Sequence, residues 1–395
     1  MKIIFVVSRF PYPLEKGDKL RAYHFIKNLS KDNKVVVFAL SDRRIKPDEL
    51  EKIKQISYRT EVAYLSKYSI IVNLIKSIFG KLPLQVAYFI SSKAMGQFTE
   101  LVKEEKPDHV ICQLVRTSEY ARNINREYKT LDYMDAFSKG VERRMKKAPF
   151  YLRPLYYYEY KKLKAYERTV FDLFKNKVII SNQDRNYINH PLRDKITVIT
   201  NGIDMDYFKP KKEQGAEIRI KKDYDILFSG NMNYLPNIEG AEYLVEKVLP
   251  LVRKVHPDVR TLIAGANPNT RIKKLAQRHV SVIGWVDDVK ENFARSSILV
   301  APMFLSIGLQ NKLMEAMAMQ IPCITSTLAN NALGACNGES ILIADNPEEF
   351  ANRINLLLEN GVRAREIGMN GYNFVLENHN WQKTTKLLEK LISPV

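Results

Sequence analysis

The chain has 395 residues, of which 45% are hydrophobic and 27% are charged. This length exceeds one ordinary hydrophobic core and predicts two domains of roughly 150–200 residues, while the composition excludes a disordered or fibrous protein. The three cysteines are far apart in the sequence, which indicates a reducing compartment without a disulfide framework: Cys112, Cys323 and Cys336. No apolar run approaches the ~20 residues of a membrane span, and the run at residues 3–7 is too short for a signal peptide, so we expect a cytoplasmic protein.

The net charge of +18 is concentrated in the first half of the chain. Residues 1–200 contain 39 Lys and Arg against 22 Asp and Glu, a net +17, whereas residues 201–395 contain 23 against 22, a net +1. The first half is therefore expected to meet an anionic partner, either lipid headgroups, a phosphate-bearing acceptor or nucleic acid. Nucleic acid is the weakest of the three candidates, because no recognised binding module is present and the basic residues are interleaved with acids.

In chain order, the first half alternates short apolar strands with helical patterns, as is typical of a parallel sheet with crossover helices. The pattern predicts strands at residues 3–7, 35–39, 109–113, 130–134 and 177–181, and helices at residues 19–29 and 95–104. Residues 137–175 then form one or two long helices rich in Tyr, Lys and Arg. Within them, residues 139–168 present either a solvated basic face or a surface that contacts anionic membrane headgroups, with aromatic rings at the interface.

A charged linker at residues 209–222 precedes a second alternating series. Strands are predicted at residues 225–228, 260–264, 280–283, 298–301, 323–326 and 341–344, and helices at residues 237–255, 271–278, 288–294, 310–319, 347–360 and 382–392. The two series predict an α/β protein with two doubly wound, Rossmann-like parallel-sheet domains that face each other across a cleft. Ligands of such sheets bind outside the carboxyl ends of the strands.

The loop and helix that follow the strand at residues 298–301 have the residue types that a phosphate site requires. Glycine permits close approach of the backbone, amides at a helix N-terminus bind anions, a lysine adds a full positive charge, and a glutamate one turn later can accept hydrogen bonds from a ribose diol. These residues are Gly308, Leu309, Gln310, Asn311, Lys312 and Glu315. The alternative is an ordinary loop-to-helix connection with an exposed glutamate.

Residues 308–318, with the sequence GLQNKLMEAMA, resemble the donor-binding motif of the retaining GT4 glycosyltransferases, which have the GT-B fold. In that family two glutamates lie eight positions apart, and the second binds the nucleotide ribose. Glu315 matches the second glutamate, whereas Ile307 occupies the place of the first, as in a polysaccharide-associated branch of the family. The resemblance extends over nearly the whole chain and is most specific in residues 198–330.

Three further stretches carry the resemblance in the second half. Residues 228–240 are similar to the start of the donor domain, which implies that Gly230 lies near the diphosphate and that Asn231 and Asn237 replace the usual Arg and Lys. Residues 284–288, including Trp285, match the loop that commonly faces the base. Residues 198–210 resemble the family's hinge, so its Asp-x-Asp triplet at residues 204–206 is interpreted as a turn and no metal site is expected.

In the first half, the loop at residues 11–21 resembles the family's acceptor-side loop, with Gly17 and Asp18 facing the cleft and Arg21 in the helix that follows. An ordinary strand-to-helix loop is the alternative. Asp135 follows the strand at residues 130–134, where its carboxylate could orient or deprotonate an acceptor hydroxyl, or cap the next helix. Asp135, Lys312 and Glu315 are therefore the candidate catalytic residues.

The resemblance implies an acceptor-binding domain at residues 1–205, a nucleotide-sugar-binding domain at residues 206–375, and a helix at residues 376–395 that returns to the first domain, where Trp381 anchors it. The implied activity is retaining glycosyl transfer, of the hexosyltransferase class, from a UDP- or GDP-sugar without a metal cofactor. The acceptor is a saccharide or a lipid diphosphate in surface polysaccharide synthesis, which suits a cytoplasmic protein that is peripheral on the inner face of the membrane. The alternative is a sugar-nucleotide epimerase or hydrolase on the same fold.

Overall fold

The computed structural model describes residues 1–209, 212–213, 216–217, 222–286, 288–305 and 309–393. Most of the predicted linker at residues 209–222 lies outside these ranges. The contacts within the chain divide it into two units, one formed by residues 1–201 with 381–395 and the other by residues 202–380. No helix in the described part of the chain is both long enough and apolar enough to span a bilayer.

The first unit contains a seven-stranded, entirely parallel sheet with the strand order β3-β2-β1-β4-β5-β6-β7. Its central strands are continuous apolar runs that are buried on both faces, as parallel strands covered by helices require. The strands are β1 (Lys2–Val7), β2 (Lys34–Ser41), β3 (Arg59–Tyr64), β4 (His109–Gln113), β5 (Lys129–Met134), β6 (Asn176–Ile179) and β7 (Thr197–Val198).

Helices cover both faces of this sheet. They are α1 (Gly17–Leu29), α2 (Pro47–Lys54), α3 (Lys67–Phe79), α4 (Leu84–Ala87), α5 (Ser92–Glu105), α6 (Phe137–Lys147), α7 (Arg153–Leu173) and α8 (Asn182–Tyr187). Short 3₁₀ turns lie at Val115–Thr117, Arg126–Tyr128, Phe150–Leu152 and Arg193–Lys195. The basic region predicted as one or two long helices is thus two helices, α6 and α7, separated by a 3₁₀ turn.

The last helix of the chain, α17 (Trp381–Ile392), packs in the first unit. The Trp381 ring stacks on His24 with 4.9 Å between ring centroids and meets Phe25 edge-on at 5.6 Å. Leu388 and Ile392 join the same buried cluster. The helix therefore completes one face of the first unit through apolar packing.

The second unit contains a six-stranded parallel sheet with the order β12-β11-β10-β13-β14-β15. An antiparallel pair, β8 (Lys212–Glu213) with β9 (Ala216–Glu217), precedes it. The strands of the sheet are β10 (Tyr224–Ser229), β11 (Thr261–Ala264), β12 (Val280–Ile283), β13 (Ser296–Ala301), β14 (Cys323–Thr325) and β15 (Leu342–Ile343). All six were predicted from their apolar runs, within two residues at each end.

The helices of the second unit are α9 (Leu235–Tyr243), α10 (Leu249–Val252), α11 (Thr270–Lys273), α12 (Val289–Ala294), α13 (Asn311–Ala318), α14 (Thr327–Leu333), α15 (Pro347–Glu359) and α16 (Gly361–Asn378). A π-helical segment, Leu244–Val248, joins α9 to α10 and makes one continuous element of the helix predicted at residues 237–255.

Each sheet reverses its strand order at one place. In the first unit the reversal lies between β1 and β4, and in the second it lies between β10 and β13. Loops that leave adjacent strands at such a point diverge to opposite faces of the sheet and leave a crevice at the carboxyl edge, where ligands of doubly wound sheets bind.

Candidate functional site

Gly230 follows β10 at the reversal point of the second sheet and adopts a backbone conformation that favours glycine, with φ of +154°. A β-carbon at this position would lie 2.7 Å from Nδ2 of Asn237 and 3.1 Å from Nζ of Lys312. A β-carbon on Gly265, at the end of the neighbouring β11, would lie 1.6 Å from the carbonyl oxygen of Gly230. The absence of a side chain at Gly230 thus leaves room for the Asn237 and Lys312 side chains, and its absence at Gly265 leaves room for the Gly230 backbone.

Lys312 lies in the first turn of α13 and is 7% exposed. Its ammonium group donates a 2.7 Å hydrogen bond to Oδ1 of Asn237 and lies 4.5 Å from the centre of the Phe228 ring. No carboxylate among the described residues is within 4.0 Å of it. Burial lowers the pKa of Lys312 to about 7, and the charge of Glu315 opposes this shift. A buried cation without a paired anion is costly, so the arrangement favours an anionic ligand beside Lys312.

The N-terminus of α13 lies at the same edge. The helix begins at Asn311, and its N-cap residue, Gln310, makes no side-chain capping bond. The amides of Asn311 and Lys312 therefore have no partner inside the helix. The side chain of Leu309, the residue before the N-cap, packs against the hydrophobic core. Gly308, predicted to approach the ligand, lies outside the described residues.

Glu315 lies one turn further along α13 and is half-buried. Burial raises its pKa to about 7, and the charge of Lys312 opposes the shift. Glu315 is close enough to the exposed Tyr207 to raise the pKa of that phenol, which burial and a 3.0 Å hydrogen bond to Oδ1 of Asp288 bring to about 12. The half-buried carboxylate of Glu315 therefore lies within electrostatic reach of Tyr207.

The remaining donor-site candidates lie on the surface. Asn231 is exposed; its side chain accepts a bond from the amide of Asn233, and its carbonyl accepts one from Asn237. Trp285 is 69% exposed. In the predicted hinge, the carboxylate of Asp204 accepts a bond from the amide of Tyr207, as a turn requires. Within the ranges that the structure covers, no three His, Cys, Asp or Glu side chains are grouped to hold a metal ion.

In the first unit, the loops that follow β1 and β4 meet at the reversal point of the sheet. The side-chain amide of Gln113 donates a 2.8 Å bond to the carbonyl of Asp18, whose carboxylate accepts a 3.0 Å bond from Arg9. A β-carbon on Gly17, the first residue of α1, would lie 3.2 Å from the methyl group of Met134. The predicted acceptor-side residues Gly17 and Asp18 therefore lie at the carboxyl edge of β1, β4 and β5.

Asp135 follows β5 at this edge, directly after Met134, which has a φ of +62°. The capping alternative is wrong, because the N-cap residue of α6 is Ala136 and no side chain caps the helix. The carboxyl group of Asp135 has no hydrogen-bond partner within the described ranges and is open to solvent, although protein surrounds it on its other sides. This burial, followed by the charge of Asp184, raises the pKa of Asp135 to about 7.

Arg116, just after β4, is a candidate that the sequence did not reveal. Its guanidinium lies against the rings of Phe137, at 4.7 Å, and Phe89, at 5.3 Å, and its only hydrogen-bond acceptor within the described ranges is the neutral Oε1 of Gln85. Burial lowers its pKa to about 10. Arg116 is thus a second partly buried cation without a paired carboxylate, at the carboxyl edge of the other sheet.

Arg21, predicted on the acceptor side, has a different role. Its side chain is fully buried and binds both oxygens of Asp132, at 2.7 and 3.3 Å, and Oδ1 of Asn201, at 3.0 Å. Arg21 therefore lies in the helix that follows the acceptor-side loop, as predicted, but its charge is used within the protein. The helical period turns this residue of α1 toward the sheet, where the carboxylate of Asp132 on β5 compensates its charge.

The sequence and the structure were compared with those of known proteins. Residues 223–360 match the model of the family described as Glycosyl transferases group 1. An uncharacterized 44.6 kDa protein in the cps region of Klebsiella pneumoniae is 24% identical over 97% of both chains. A UDP-Gal:alpha-D-GlcNAc-diphosphoundecaprenol alpha-1,3-galactosyltransferase from Escherichia coli is 26% identical over 46% of this chain and 51% of its own. The structure of Anabaena Alr3699/HepE in complex with UDP matches all of both chains with a TM-score of 0.70 and 13% identity.

The chain is a glycosyltransferase, and its residues 223–360 match the group 1 family. The glycosyltransferase has the GT-B fold, so the predicted fold class and the predicted sugar-transfer activity are confirmed. The alternative of an epimerase or hydrolase finds no support among its relatives. The roles assigned to individual residues at the two sheet edges remain predictions.

Sequence reasoning missed two functional candidates in the glycosyltransferase, and the sequence contains a signal for one of them. Tyr207 immediately follows the Asp-x-Asp turn, and its position relative to Glu315 depends on how the hinge folds, which the sequence does not show. Arg116 follows β4, the strand next to β1, and a basic residue just after a central strand is a pattern that the sequence does contain. The sequence does not show whether a carboxylate pairs with this arginine; only the folded structure does.

Proposed function

We propose that this protein is a retaining GT4 glycosyltransferase that transfers a hexose from a nucleoside diphosphate sugar, with UDP or GDP as the nucleotide. The observation that carries the proposal is the buried, unpaired ammonium of Lys312 beside Gly230, at the reversal point of the second sheet and in the first turn of α13. A diphosphate is the anion that fits this combination of a lysine, a helix N-terminus and a glycine turn. The presence of UDP in the structure of the Anabaena protein agrees with this choice.

The proposed chemistry requires stabilisation of the leaving group. As the bond between the anomeric carbon and the β-phosphate oxygen breaks, negative charge grows on the diphosphate, next to Lys312 and the α13 amides. The acceptor hydroxyl oxygen forms the new bond to the anomeric carbon on the face from which the diphosphate leaves, so that the configuration is retained, and it loses its proton to a base, for which Asp135 is the candidate. Glu315 accepts hydrogen bonds from the ribose, and Trp285 lies in the loop assigned to the base. The proposal includes no metal cofactor, because Lys312 and the helix dipole supply the positive charge.

We assign the acceptor to the first unit and infer that it bears a phosphate, as a lipid diphosphate does. Arg116 supports this, because its partly buried guanidinium has only a neutral acceptor at the carboxyl edge of the sheet, near Asp18. The relative from Escherichia coli acts on a diphosphoundecaprenol-linked acceptor by its name, and the relative from Klebsiella lies in a cps region. Both agree with a role in surface polysaccharide synthesis.

An acceptor on a lipid carrier requires the enzyme to work at a membrane surface. We propose a cytoplasmic protein that is peripheral on the inner face of the membrane, with the basic residues 139–168 attracting anionic headgroups. This segment contains ten Lys and Arg against three Asp and Glu. At ~1 kcal/mol for each basic residue near an anionic surface, a few of them suffice for reversible attraction.

The donor assignment is tested by differential scanning fluorimetry and calorimetry with UDP, GDP and ADP and their hexose derivatives. One nucleotide is expected to raise the melting temperature of the wild type and to bind Lys312→Met about 10- to 100-fold more weakly, since a charged hydrogen bond contributes ~1.5–3 kcal/mol. Lys247→Met, on the π-helical segment, is the matched control and should bind normally. If Lys312→Met binds the nucleotide as tightly as the control does, the proposed site is incorrect.

The acceptor assignment is tested by sugar transfer to the lipid extract of a membrane fraction. Asp135→Asn is expected to lower kcat by ~10²–10⁴-fold with little change in donor affinity, because a general base acts in the transition state. Its rate should also lose the rise through pH 7 that the wild type shows, since the base must be ionised. Retention of the anomeric configuration is read from the product by nuclear magnetic resonance, and an inverted product would refute the retaining mechanism.

A further inference from the structure

The helix α3 exposes an apolar stripe that no described part of the first unit covers. Phe79 is 88% exposed and Ile71 is 57% exposed. The stripe contains five exposed residues on one side of the helix, each three or four positions from another: Tyr68, Ile71, Ile75, Ile78 and Phe79. The opposite side already packs against the protein through Ile70 and Ser77. A helix that needs one apolar side to fold therefore carries a second one, which indicates an interaction surface.

A second exposed group of apolar side chains lies at the start of α7, the helix that contacts the end of α3. Phe150, Tyr151 and Leu155, around the start of α7, are between 50% and 81% exposed. The hydroxyl of Tyr158 donates to the carbonyl of Ile78, and the ammonium of Lys162 donates to the carbonyl of Ser77. These bonds fix the start of α7 alongside the end of α3. We call the combined surface the α3–α7 face.

The segments that form the α3–α7 face are rich in positive charge. Residues 62–99 contain no Asp or Glu and include four lysines, among them Lys67 and Lys76 at opposite ends of α3. Two of the three acids in residues 139–168 are buried and engaged within the protein: Glu159 binds the amides of Leu84 and Gln85, and Glu167 binds Ser138. The third acid, Glu142, is paired with Lys139, so these segments carry a net positive charge and suit a partner that is apolar and anionic.

These properties select one partner. A second copy of the chain packed through the same face would bring two positively charged surfaces together, which disfavours a symmetric dimer. An anionic bilayer surface provides the matching combination, with an apolar interior for isoleucine and phenylalanine, an interfacial zone for tyrosine, and negative headgroups for the lysines.

We propose that the α3–α7 face inserts into the surface of an anionic lipid bilayer. The insertion places the hydrophobic anchor on α3, outside the basic segment at residues 139–168, whose charges then contribute long-range attraction. The proposal rests on the proposed membrane attachment but not on the nucleotide or sugar that the enzyme uses, so it can fail while the donor assignment stands. Likewise, the donor assignment can fail while the α3–α7 face still binds a bilayer.

Flotation with vesicles of phosphatidylcholine alone, or with 30% phosphatidylglycerol, tests the proposal. The wild type should float with the anionic vesicles, and half a molar salt should weaken this binding without abolishing it, because salt screens charges but not apolar insertion. The triple variant I71Q/I75Q/F79Q should bind the anionic vesicles at least ten-fold more weakly. The control V362Q/L387Q, which removes exposed apolar residues elsewhere, should bind like the wild type.

Two further measurements distinguish insertion into a bilayer from self-association of the chain. The fluorescence of F79W should shift to shorter wavelength, and brominated lipids should quench it, only with anionic vesicles. Sedimentation should show the same mass for the wild type and the triple variant. If the wild type were a dimer and the triple variant a monomer, the face would instead bind a second copy of the chain. Equal flotation of the triple variant and the wild type, or an F79W spectrum unchanged by anionic vesicles, would overturn the proposal.

Discussion

Lys312 and Glu315 show how one turn of helix can prepare a site for a charged ligand. Both side chains titrate near pH 7, the lysine because burial lowers its pKa and the glutamate because burial raises its own. Each charge partly offsets the shift of the other. A bound diphosphate would favour the protonated lysine, so nucleotide binding and proton uptake are expected to be linked.

The affinity for the nucleoside diphosphate is therefore expected to fall as the pH rises above 7, by up to about ten-fold for each unit, because the free protein loses the charge on Lys312. Titration calorimetry between pH 6.5 and 9, in buffers of different ionisation enthalpy, measures both the affinity and the proton uptake. In Lys312→Met the affinity should be lower and nearly independent of pH. In Glu315→Gln the fall should persist and move to lower pH, since Glu315 raises the pKa of Lys312. A wild-type affinity that stays constant to pH 9 would contradict the proposed contact.

Arg21 shows that a basic residue in a functional segment can be structural. Removing either member of its buried ion pair leaves the other charge uncompensated, so Arg21→Met and Asp132→Asn should each lower the free energy of unfolding by ~3–5 kcal/mol. The double variant Arg21→Met/Asp132→Leu should be less destabilised than the sum of the single changes. Urea unfolding measures the effect, and Arg9→Met, which breaks a partly exposed pair with Asp18, should cost below ~1 kcal/mol. Similar costs for Arg9 and Arg21 would mean that burial of the pair is unimportant.

At the scale of elements, the buried strands were predictable and several helices were not. A continuous apolar run such as Val35 to Leu40 is typical of a central strand of a parallel sheet, which is buried on both faces, and it lies in β2. The edge strand β3 was missed because its sequence, RTEVAY, is half polar. The helix α3 was missed because it has apolar residues on all sides, which hides the amphipathic period. Its exposed apolar side is the basis of the proposed membrane face.

The helix α16 was missed for another reason, which its glycines explain. Gly368 and Gly371 weaken helix propensity, but the helix packs against backbone at both positions. A β-carbon on Gly368 would lie 2.2 Å from the carbonyl oxygen of Gln320, and one on Gly371 would lie 3.1 Å from that of Ser340. Tertiary packing thus requires the residues that local propensity disfavours.

Gly368→Ala should therefore destabilise the second unit, although alanine is the better helix former. The β-carbon meets backbone that cannot move aside without shifting the turn between α13 and β14, and overpacking of this kind costs ~1–3 kcal/mol. Gly96→Ala, in α5 with open space around it, is the matched control and should be neutral or stabilising by up to ~1 kcal/mol. Chemical denaturation of both variants measures the difference, and stabilisation by Gly368→Ala would show that α16 packs less closely than described.

At the scale of the molecule, alternation of strands and helices predicted two parallel-sheet domains, and the motifs around Gly230 and Lys312 indicated which one binds the donor. The sequence could not reveal the pairing of buried charges, because the pairing depends on contacts distant in the chain: Arg21 meets residues 111 and 180 positions away. The unpaired state of Lys312 and Arg116 is equally a property of the folded protein.

The chain also returns to its first unit at the end, so the stability of that unit depends on its last residues. Deletion of residues 381–395 removes Trp381, Leu388 and Ile392 from the cluster that covers α1, and each such side chain contributes ~1.5–3 kcal/mol when buried. Hydrogen exchange measured by mass spectrometry should therefore show faster exchange in peptides from α1 and β1 of the truncated protein. Peptides from β10 and α13, in the other unit, should keep their protection and should still gain protection when the nucleoside diphosphate is added. Faster exchange spread evenly over both units would mean that the two units unfold together, and unchanged exchange in α1 would mean that α17 contributes little to the first core.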